Sequence, residues 1–312
     1  MIEFPRTLDE AAAARGEIRA GGTDLQELRR SGVSRGPIID LRDLGGLDNI
    51  EWDGAAKIGA LVKVSTIAED RRMQKAYPGL AQAAGDLATP QIRAVGTFGG
   101  NLLQRNRCWY FRHPATSCYK KGGSSCPARA GNHLYSVAFD LGPCVAPHPS
   151  TLGMALLAYE AHIEVHGRQP RPVAELYDGA DPHHDHQLDE GEVLTGVALL
   201  PPVEGERAAY FRATSRAYSE WPLVECVARL VMEEGEIRFA RVAVGGVANV
   251  PLSLSRVEEV LVGQPVGIET FERAADVTVE GADPLPMTGY KVRLLRGTVF
   301  ETLNRASGRD PR

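Results

Sequence analysis

Short runs of alternating apolar and polar residues at the N-terminal end predict brief helices and strands in mixed order. Thr7 and Glu10 form a capping box at the start of the first helix. Asp53 and Gly54 form a dipeptide that is typical of hairpin turns. The predicted elements are a helix over 8–15, a strand over 17–20, a helix over 25–30, a strand over 37–41 and a hairpin over 50–60.

The middle of the chain contains a glycine-rich stretch over 89–102, which we expect to be a loop held tightly against the core. Ser150 is placed to cap the apolar helix that follows it, and a strand is predicted over 162–165. The polar stretch over 178–192 is typical of a surface loop.

The last third of the chain again mixes helical and extended patterns. Because the two types do not alternate strictly, an α+β fold is favoured over a doubly wound sheet. A chain of 312 residues should form two or three domains, and the first should end near residue 200. The predicted elements are strands over 193–200 and 207–214, an apolar helix over 222–232, a strand pair across 237–247 and a helix over 289–306.

Composition narrows the class of protein. Apolar residues make up 43% of the chain and charged residues 24%, as in an ordinary globular protein. A net charge of -5 with scattered arginines argues against binding of nucleic acid. No stretch approaches the roughly 20 apolar residues of a membrane span. The N-terminal residues do not read as a secretion signal, so we expect a cytoplasmic protein, or a periplasmic one if a signal-bearing partner exports it.

Two glycine segments are candidate phosphate-binding loops, at Gly21 and Gly22 and again at Gly99 and Gly100. Paired glycines let successive backbone N–H groups point into one concavity, which can hold phosphate oxygens. Neither segment has a Walker or G-x-G-x-x-G pattern. Two such loops could grip the two phosphates of a dinucleotide, and the alternative for each is an ordinary tight turn.

Four of the five cysteines are clustered, with nine, seven and seventeen residues between successive members. These spacings differ from the short C-x-x-C pairs of zinc ribbons. Four soft thiolates on long loops suit a [4Fe-4S] cluster, while buried thiols or a zinc site are the alternatives. Cys226 lies in an apolar segment and is expected in the core. The clustered residues are Cys108, Cys118, Cys126 and Cys144.

Basic residues surround these cysteines and would offset the negative charge of a thiolate-ligated cluster. They are Arg105, Arg107, Arg112, Lys120, Lys121 and Arg129. Three histidines in the 178–192 loop are the other candidate metal ligands, but the aspartates beside them favour a solvated loop. Those histidines are His183, His184 and His186.

Four segments occur together in a recognisable order: AGGTDL at 20–25, PQIRAVGTFGGNL at 90–102, HPS at 148–150 and YKVRLL at 290–295. With them the chain resembles the FAD-binding subunits of the molybdopterin dehydrogenases, the family of xanthine dehydrogenase, carbon monoxide dehydrogenase and 4-hydroxybenzoyl-CoA reductase. The resemblance implies an FAD-binding domain in two parts, of the vanillyl-alcohol oxidase type, over 1–200. A smaller α+β domain of the carbon monoxide dehydrogenase flavoprotein type would follow over 201–312.

The resemblance also implies which residues contact FAD. The chain departs from the family pattern at Thr151, where an aspartate is usual, and at Ala94, where an asparagine is usual. These departures put individual contacts in question but leave the expected fold unchanged. The residues implied in FAD binding are Ala20, Gly21, Gly22, Thr23, Asp24, Leu25, Thr97, Gly99, Gly100, Asn101, Ser150 and Lys291.

The cysteine-rich segment, at about 104–147, resembles the insertion of the aldehyde oxidoreductase branch, whose FAD subunit holds a [4Fe-4S] cluster. The implied function is electron transfer within a molybdenum hydroxylase. The implied partners are a large molybdopterin-binding subunit and a small [2Fe-2S] subunit, in a heterotrimer or a dimer of heterotrimers. An aldehyde is the expected substrate of the complex, followed by a purine. The alternatives are a stand-alone FAD-dependent oxidase and a zinc-stapled binding module without enzymatic activity.

Overall fold

The structure is a computed structural model that describes residues 1–217 and 219–309. Within them, strands form one parallel and two antiparallel sheets. The strands are β1 (Ile2–Glu3), β2 (Glu17–Arg19), β3 (Ile38–Asp40), β4 (Ile50–Asp53), β5 (Ala55–Gly59), β6 (His162–Val165), β7 (Arg171–Pro172), β8 (Leu194–Ala198), β9 (Glu206–Ala213), β10 (Val224–Glu233), β11 (Glu236–Gly245) and β12 (Leu252–Ser253). The α-helices are α1 (Leu8–Ala13), α2 (Leu25–Arg30), α3 (Val64–Glu69), α4 (Arg71–Ala76), α5 (Pro78–Asp86), α6 (Pro90–Val95), α7 (Phe98–Leu102), α8 (Trp109–Arg112), α9 (Thr151–Ala158), α10 (Ser255–Leu261), α11 (Ile268–Val277) and α12 (Tyr290–Ala306).

The N-terminal unit is a small parallel sheet in the order β1-β3-β2, with α1 and α2 in its connections. The Thr7 hydroxyl accepts a hydrogen bond of 3.2 Å from the N–H of Glu10, which confirms the predicted cap. The Glu10 carboxylate accepts from the N–H of Arg6 at 2.7 Å. In a capping box the donor would be the N–H of Thr7, so this second hydrogen bond is shifted by one residue. The predicted order of strand, glycine turn and helix is confirmed by β2 and α2.

The second sheet is antiparallel, in the order β4-β5-β8-β6-β7. The hairpin predicted at Asp53 and Gly54 joins β4 to β5, and Gly54 has a φ of +68°. Apolar side chains of this sheet, such as Ile58, pack in one core with Leu80 of α5 and Leu156 of α9. Helix α9 is buried along its whole length, as its continuous apolar sequence requires.

The third sheet, in the order β12-β11-β10-β9, belongs to the C-terminal part. One face packs in a core with α10, α11 and α12, which contains Leu230 of β10 and Val299 of α12. The other face contributes Tyr210 and Val227 to the core that holds α5 and α9. Because this sheet is covered on both sides, the two parts of the chain are joined by a continuous apolar interface.

The helix predicted over 222–232 is wrong, because this segment forms strand β10 between β9 and β11. Residues 224–231 are all buried. A strand covered on both faces carries apolar residues on both. Over 222–232 only Glu225 and Arg229 are charged, and periodicity does not distinguish such a segment from a buried helix. Cys226 lies in this strand and is fully buried, so its assignment to the core is confirmed. The strand pair expected across 237–247 is instead the single strand β11.

The loop predicted over 89–102 is also wrong, since this stretch forms the short helices α6 and α7. Each helix begins at a threonine whose hydroxyl caps it. Thr89 accepts from the N–H of Ile92 at 3.4 Å, and Thr97 accepts from the N–H of Gly100 at 3.2 Å. Two caps eight residues apart outweigh the low helix propensity of the glycines.

Candidate cofactor sites

The first glycine loop connects β2 to α2 and presents a row of backbone N–H groups. Gly22 has a φ of +72°, in the left-handed region, and Asp24 has a right-handed helical conformation. The N–H groups of residues 21–25 find no acceptor in the described part of the chain. Successive free amides in such turns form a concavity that binds anions. This loop therefore has the local geometry of a phosphate site.

The two glycine segments are brought into contact, as their pairing in a single site requires. A side chain on Gly21 would collide with the carbonyl oxygen of Val95, so only glycine allows this approach. The hydroxyl of Thr23 lies beside Gly96, just before the second segment. Lys63 donates to the same Val95 carbonyl at 3.3 Å and adds a positive charge near the junction.

The second glycine segment uses its backbone differently from the first. The N–H of Phe98 donates to the carbonyl of Val62, and the N–H of Gly99 donates to the carbonyl of Ala60, both at 2.8 Å. A Cβ on Gly99 would lie 2.9 Å from the Cβ of Ala60, so this glycine permits close packing of α7 on the sheet. Gly100 is exposed. The amides of α7 that precede Asn101 are therefore already hydrogen-bonded within the chain. A ligand could contact only the surface and the side chains of this segment.

Asn101 and Ser150, both predicted in FAD binding, are in direct contact. The Ser150 hydroxyl donates to Oδ1 of Asn101 at 2.9 Å, and the N–H of Leu152 donates to the same oxygen at 3.2 Å. The Ser150 hydroxyl also accepts from the N–H of Gly153 at 2.9 Å and so caps α9. Ser150 thus connects the second glycine segment to the start of α9.

A cavity of about 680 Å³ lies between the cysteine-rich segment, residues 146–149 and the C-terminal part. Its size is that of a typical small-molecule site. Its walls include Cys108, Trp109, His148, Trp221, Gly246 and Lys291. The glycine loops lie outside these walls, and Arg107 connects them to the cavity, because it lines the cavity and pairs with Asp24 at 2.9 Å.

Lys291, which the sequence placed near the flavin, is only 1% exposed and lines this cavity. Its ammonium group donates to the carbonyls of Gly246 at 2.7 Å and Tyr135 at 3.3 Å. No carboxylate in the described residues lies within ion-pair distance of it. Burial lowers the pKa of Lys291 from its ordinary 10.5 to about 7. A buried amine without an anionic partner in a cavity is typical of a functional group.

Two further residues of this cavity, Trp221 and Glu225, had no distinct sequence signal, and Arg107 was expected only as a charge near the cysteines. The Arg107 guanidinium lies 4.2 Å from the centre of the Trp221 ring, and burial lowers the pKa of Arg107 to about 10. Glu225 is 1% exposed, and its carboxylate accepts from the hydroxyls of Tyr210 and Thr151. Burial raises the pKa of Glu225. These residues come together only through the tertiary packing of β9 and β10 on the first part of the chain.

The four clustered cysteines converge on a second, much smaller cavity of about 20 Å³. No disulfide joins them. Within the described ranges, no group of three or more histidine, cysteine, aspartate or glutamate residues is arranged to hold a metal ion. The convergence of four thiols from one segment nevertheless matches the donor set of a [4Fe-4S] cluster. The cysteines in the wall are Cys108, Cys118, Cys126 and Cys144.

The thiols in this cavity are close enough to affect each other's protonation. A hydrogen bond between Cys144 and Cys126 lowers the pKa of Cys126 and raises the pKa of Cys144. Burial raises the pKa of Cys108, and the neighbouring thiols Cys126 and Cys118 add to the rise. Such coupling is expected where several thiols share a small buried volume.

The basic residues around the cysteines are paired within the protein. Arg105 and Lys120 both bind the carboxylate of Asp185, at 2.6 and 3.0 Å. Burial disfavours the charge on Asp185, but these two cations outweigh it and hold the pKa below its ordinary value. Arg129 forms a bidentate pair with Asp140. The insertion is therefore fastened to its surroundings by ion pairs. Among its six basic residues, only Lys121 has no carboxylate partner in the described part of the chain, and it donates to the carbonyls of Tyr110 and His113.

The histidine-containing loop has a structural part that its polar sequence did not indicate. The side chain of Asp185 is only 4% exposed, because it points inward to the cysteine-rich segment. His184 instead pairs with Asp181 at the surface, at 2.7 Å. The prediction that this loop is exposed to solvent is therefore confirmed for His184 and wrong for Asp185.

Known proteins share this arrangement of sequence and fold. The family described as the FAD binding domain in molybdopterin dehydrogenase matches residues 2–202, and the CO dehydrogenase flavoprotein C-terminal domain matches residues 209–306. The aldehyde oxidoreductase FAD-binding subunit PaoB of Escherichia coli is 31% identical over 92% of this chain and 90% of its own length. A xanthine dehydrogenase FAD-binding subunit of Escherichia coli O157:H7 is 25% identical over 86% of this chain and 79% of its own.

Solved structures reproduce the fold. Carbon monoxide dehydrogenase from Hydrogenophaga pseudoflava superimposes with a TM-score of 0.78 at 21% identity, over 99% of this chain and 98% of that one. Quinoline 2-oxidoreductase from Pseudomonas putida 86 gives a TM-score of 0.77 at 21% identity, over 98% and 96% of the two chains. Across the described residues, no helix is long and apolar enough to cross a membrane.

Proposed function

This chain belongs to the family of FAD-binding subunits of the molybdopterin dehydrogenases, and from that membership we propose how it holds its cofactors and passes electrons. It is the flavoprotein subunit of a molybdenum hydroxylase complex and acts as an oxidoreductase within that complex. This assignment is favoured over a stand-alone oxidase and over a zinc-stapled binding module, because the relatives that it matches are subunits of such complexes.

The pyrophosphate of FAD binds at the first glycine loop, where residues 20–25 contribute their backbone. The single observation that carries this proposal is the run of free N–H groups over residues 21–25. Thr97, Gly99, Gly100 and Asn101 form the opposite side of the site. Because the α7 amides that precede Asn101 are occupied, these residues contribute mainly side-chain donors and an open surface. The hydrogen bond from Ser150 holds the side chain of Asn101 in its orientation.

The isoalloxazine ring occupies the large cavity, beside Lys291. When bound, FAD can carry either one or two electrons, which allows the complex to connect one-electron and two-electron transfers. The residues of this chain orient the ring and set the charge around it. Lys291 places a buried amine in the wall of the cavity, where its electrostatic effect is stronger than in bulk water. Trp221 and Trp109 provide flat apolar walls.

The four clustered cysteines hold a [4Fe-4S] cluster. Their convergence on one small cavity supports this proposal, as does the identity of 31% to the FAD-binding subunit of an aldehyde oxidoreductase. Bound, the cluster supplies one-electron transfer. The ion pairs of Asp185 with Arg105 and Lys120 hold the insertion in the shape that brings the thiols together.

The partners are a large molybdopterin-binding subunit and a small [2Fe-2S] subunit, in a heterotrimer or a dimer of such trimers. An aldehyde is the proposed substrate of the complex, supported by the identity of 31% to an aldehyde oxidoreductase subunit, and a purine is the second candidate. The N-terminal part has the FAD-binding fold of vanillyl-alcohol oxidase, with residues 1–200 as its domain and 201–312 as the C-terminal domain. The complex is cytoplasmic, or periplasmic if a signal-bearing partner exports it.

Titration of the flavin-free chain with FAD, FMN and riboflavin tests the placement of the dinucleotide. The loop should select FAD, because FMN lacks the second phosphate and the adenosine. We expect FMN to bind at least about a hundredfold more weakly, the factor that corresponds to roughly 2.7 kcal/mol. Equal affinities for FAD and FMN would exclude a pyrophosphate at the glycine loop.

A further inference from the structure

The carboxylate of Asp24 is turned away from the glycine loop that it belongs to. Its Oδ2 accepts from the backbone N–H of Arg105 at 2.8 Å. Its Oδ1 accepts from Arg112 at 2.8 Å and pairs with Arg107 at 2.9 Å. Both oxygens of this residue, which was expected at the pyrophosphate, are therefore bound to the cysteine-rich segment.

Arg112 is bound to the backbone directly before the first clustered cysteine. Its guanidinium donates to the carbonyl oxygens of Asn106 and Arg105, each at 2.9 Å. Asn106 in turn accepts from the N–H of Cys108 at 3.0 Å. The Arg112 side chain is 10% exposed and Asp24 is 15% exposed, so the pair is shielded from solvent. The position of Arg112 thus depends on the conformation of the segment that carries Cys108.

The contact between Asp24 and the two arginines also affects the charge at the first glycine loop. Asp24 lies among the free N–H groups of residues 21–25, where an unpaired carboxylate would repel a phosphate. Arg112 and Arg107 neutralise that carboxylate together with the neighbouring Glu27, with which both arginines also pair, and they hold Asp24 away from the loop. If the cysteine-rich segment loosened, both arginines would withdraw and the negative charge of Asp24 would face the anion site.

We propose that Asp24 and Arg112 are positioning residues that couple occupancy of the cysteine cavity to FAD binding at the first glycine loop. The inference rests on the proposed function, because it assumes a cluster in the cavity and FAD at the loop. A loaded cavity fixes the segment around Cys108, keeps Arg112 on Asp24 and leaves the loop free of unpaired negative charge. By linkage, bound FAD stabilises the loaded cavity by the same factor.

The test compares FAD affinity with and without the cluster in the purified full-length chain. FAD dissociation constants are measured by flavin fluorescence for the cluster-loaded wild type and for two cluster-free forms. These forms are the Cys118→Ser variant and wild type stripped with an oxidant and an iron chelator. The same measurements are made in the Asp24→Asn background, and Asp43→Asn, an exposed carboxylate on a neighbouring turn, is the matched control.

We expect loss of the cluster to weaken FAD binding of the wild type and of Asp43→Asn by about tenfold or more, within the usual range of coupling between sites. In Asp24→Asn the dissociation constant should be nearly independent of the cluster. Cluster-free Asp24→Asn should even bind FAD more tightly than cluster-free wild type, because the repelling charge is gone. A merely structural role of Asp24 would give the opposite order.

Two results would overturn the inference. One is an FAD affinity of the wild type that is unchanged by cluster loss, and the other is full coupling in Asp24→Asn. Arg112→Gln, which leaves the Asp24 charge in place, should weaken FAD binding of the cluster-loaded chain towards that of the cluster-free wild type and change the cluster-free form little. It replaces Asp24→Asn if that variant does not fold. FAD binding without coupling would contradict this inference alone, whereas a loaded wild-type chain that binds no FAD would contradict the proposed function as well.

Discussion

The hydroxyl of Ser150 donates a hydrogen bond of 2.9 Å to the side-chain oxygen of Asn101, forty-nine positions away in the chain. The N–H of Leu152 donates to the same oxygen. With its oxygen occupied, Asn101 has only its Nδ2 group left for a ligand, and this group finds no acceptor among the described residues. In the proposed FAD site, this Nδ2 group is the donor that we expect to meet a phosphate.

The substitution Asn101→Asp separates the two roles of this side chain. Aspartate keeps the oxygen that Ser150 and Leu152 need, but it replaces the Nδ2 donor by a negative charge. We expect FAD affinity to fall by more than about tenfold, with a loss of unfolding free energy within about 1 kcal/mol. Ser150→Ala should show the reverse: loss of the α9 cap costs about 1 kcal/mol, while FAD binding falls much less. Equal effects of both variants on FAD affinity would contradict this division.

The substitution Gly22→Ala tests the amides of the first loop. Gly22 and Gly54 have nearly the same left-handed φ, of +72° and +68°, so alanine should cost about 1 kcal/mol of stability at either position. Gly54 lies in the β4–β5 hairpin with open space around it and serves as the control. Only Gly22→Ala should also weaken FAD binding, which isothermal titration would detect. If the two variants bind FAD alike, the loop is an ordinary turn.

Serine substitutions distinguish the clustered cysteines from the buried one. Each change in the cavity removes a thiolate, so iron and sulfide content should fall well below four per chain. Cys226→Ser should retain the iron and lose about 1–2 kcal/mol of stability, because a hydroxyl replaces a thiol at a fully buried position. Iron assays and urea unfolding on all five variants measure this. The cavity variants are Cys108→Ser, Cys118→Ser, Cys126→Ser and Cys144→Ser, and full iron content in all four would refute the cluster.

Lys291 predicts a pH dependence of stability in the flavin-free chain. Its pKa is about 7 in the folded chain and 10.5 ordinarily, so between these values the unfolded chain holds a proton that the folded chain lacks. The folded state should therefore gain stability as pH rises from 7, by at most about 1.4 kcal/mol per pH unit. The Lys291→Met variant has no amine to titrate. The difference in unfolding free energy between the two proteins therefore reports Lys291 alone. Urea unfolding of both proteins at pH 7, 8 and 9 should show a growing difference, and a constant difference would contradict the lowered pKa.

The sequence was sufficient for local features and for the family. The Thr7 cap, the hairpin at Gly54 and the α9 helix after Ser150 depend on residues adjacent in the chain, and all three are confirmed. The resemblance carried by the glycine segments and the cysteines identified the family. These signals are local, so they survive without knowledge of the tertiary structure.

Features set by tertiary contacts were missed. Strand β10 was predicted as a helix because both of its faces are covered. Helix α7 was predicted as a loop because of its glycines, one of which, Gly99, is required by close contact with Ala60, directly after β5. The inward turn of Asp24 depends on Arg112, eighty-eight positions away. No pattern in neighbouring residues could have shown that this carboxylate faces the cysteine-rich segment.

The central claim is that this chain transfers electrons and does not itself oxidise an organic substrate. The most direct measurement is the absorbance of the bound flavin in the purified chain, checked by mass spectrometry to be free of partners, mixed with an aldehyde under anaerobic conditions. We predict no bleaching of the flavin with aldehyde alone, full bleaching with dithionite, and aldehyde-dependent bleaching once the molybdopterin-binding and [2Fe-2S] subunits are added. Bleaching by the aldehyde in the isolated chain would contradict the account and identify a self-sufficient oxidase.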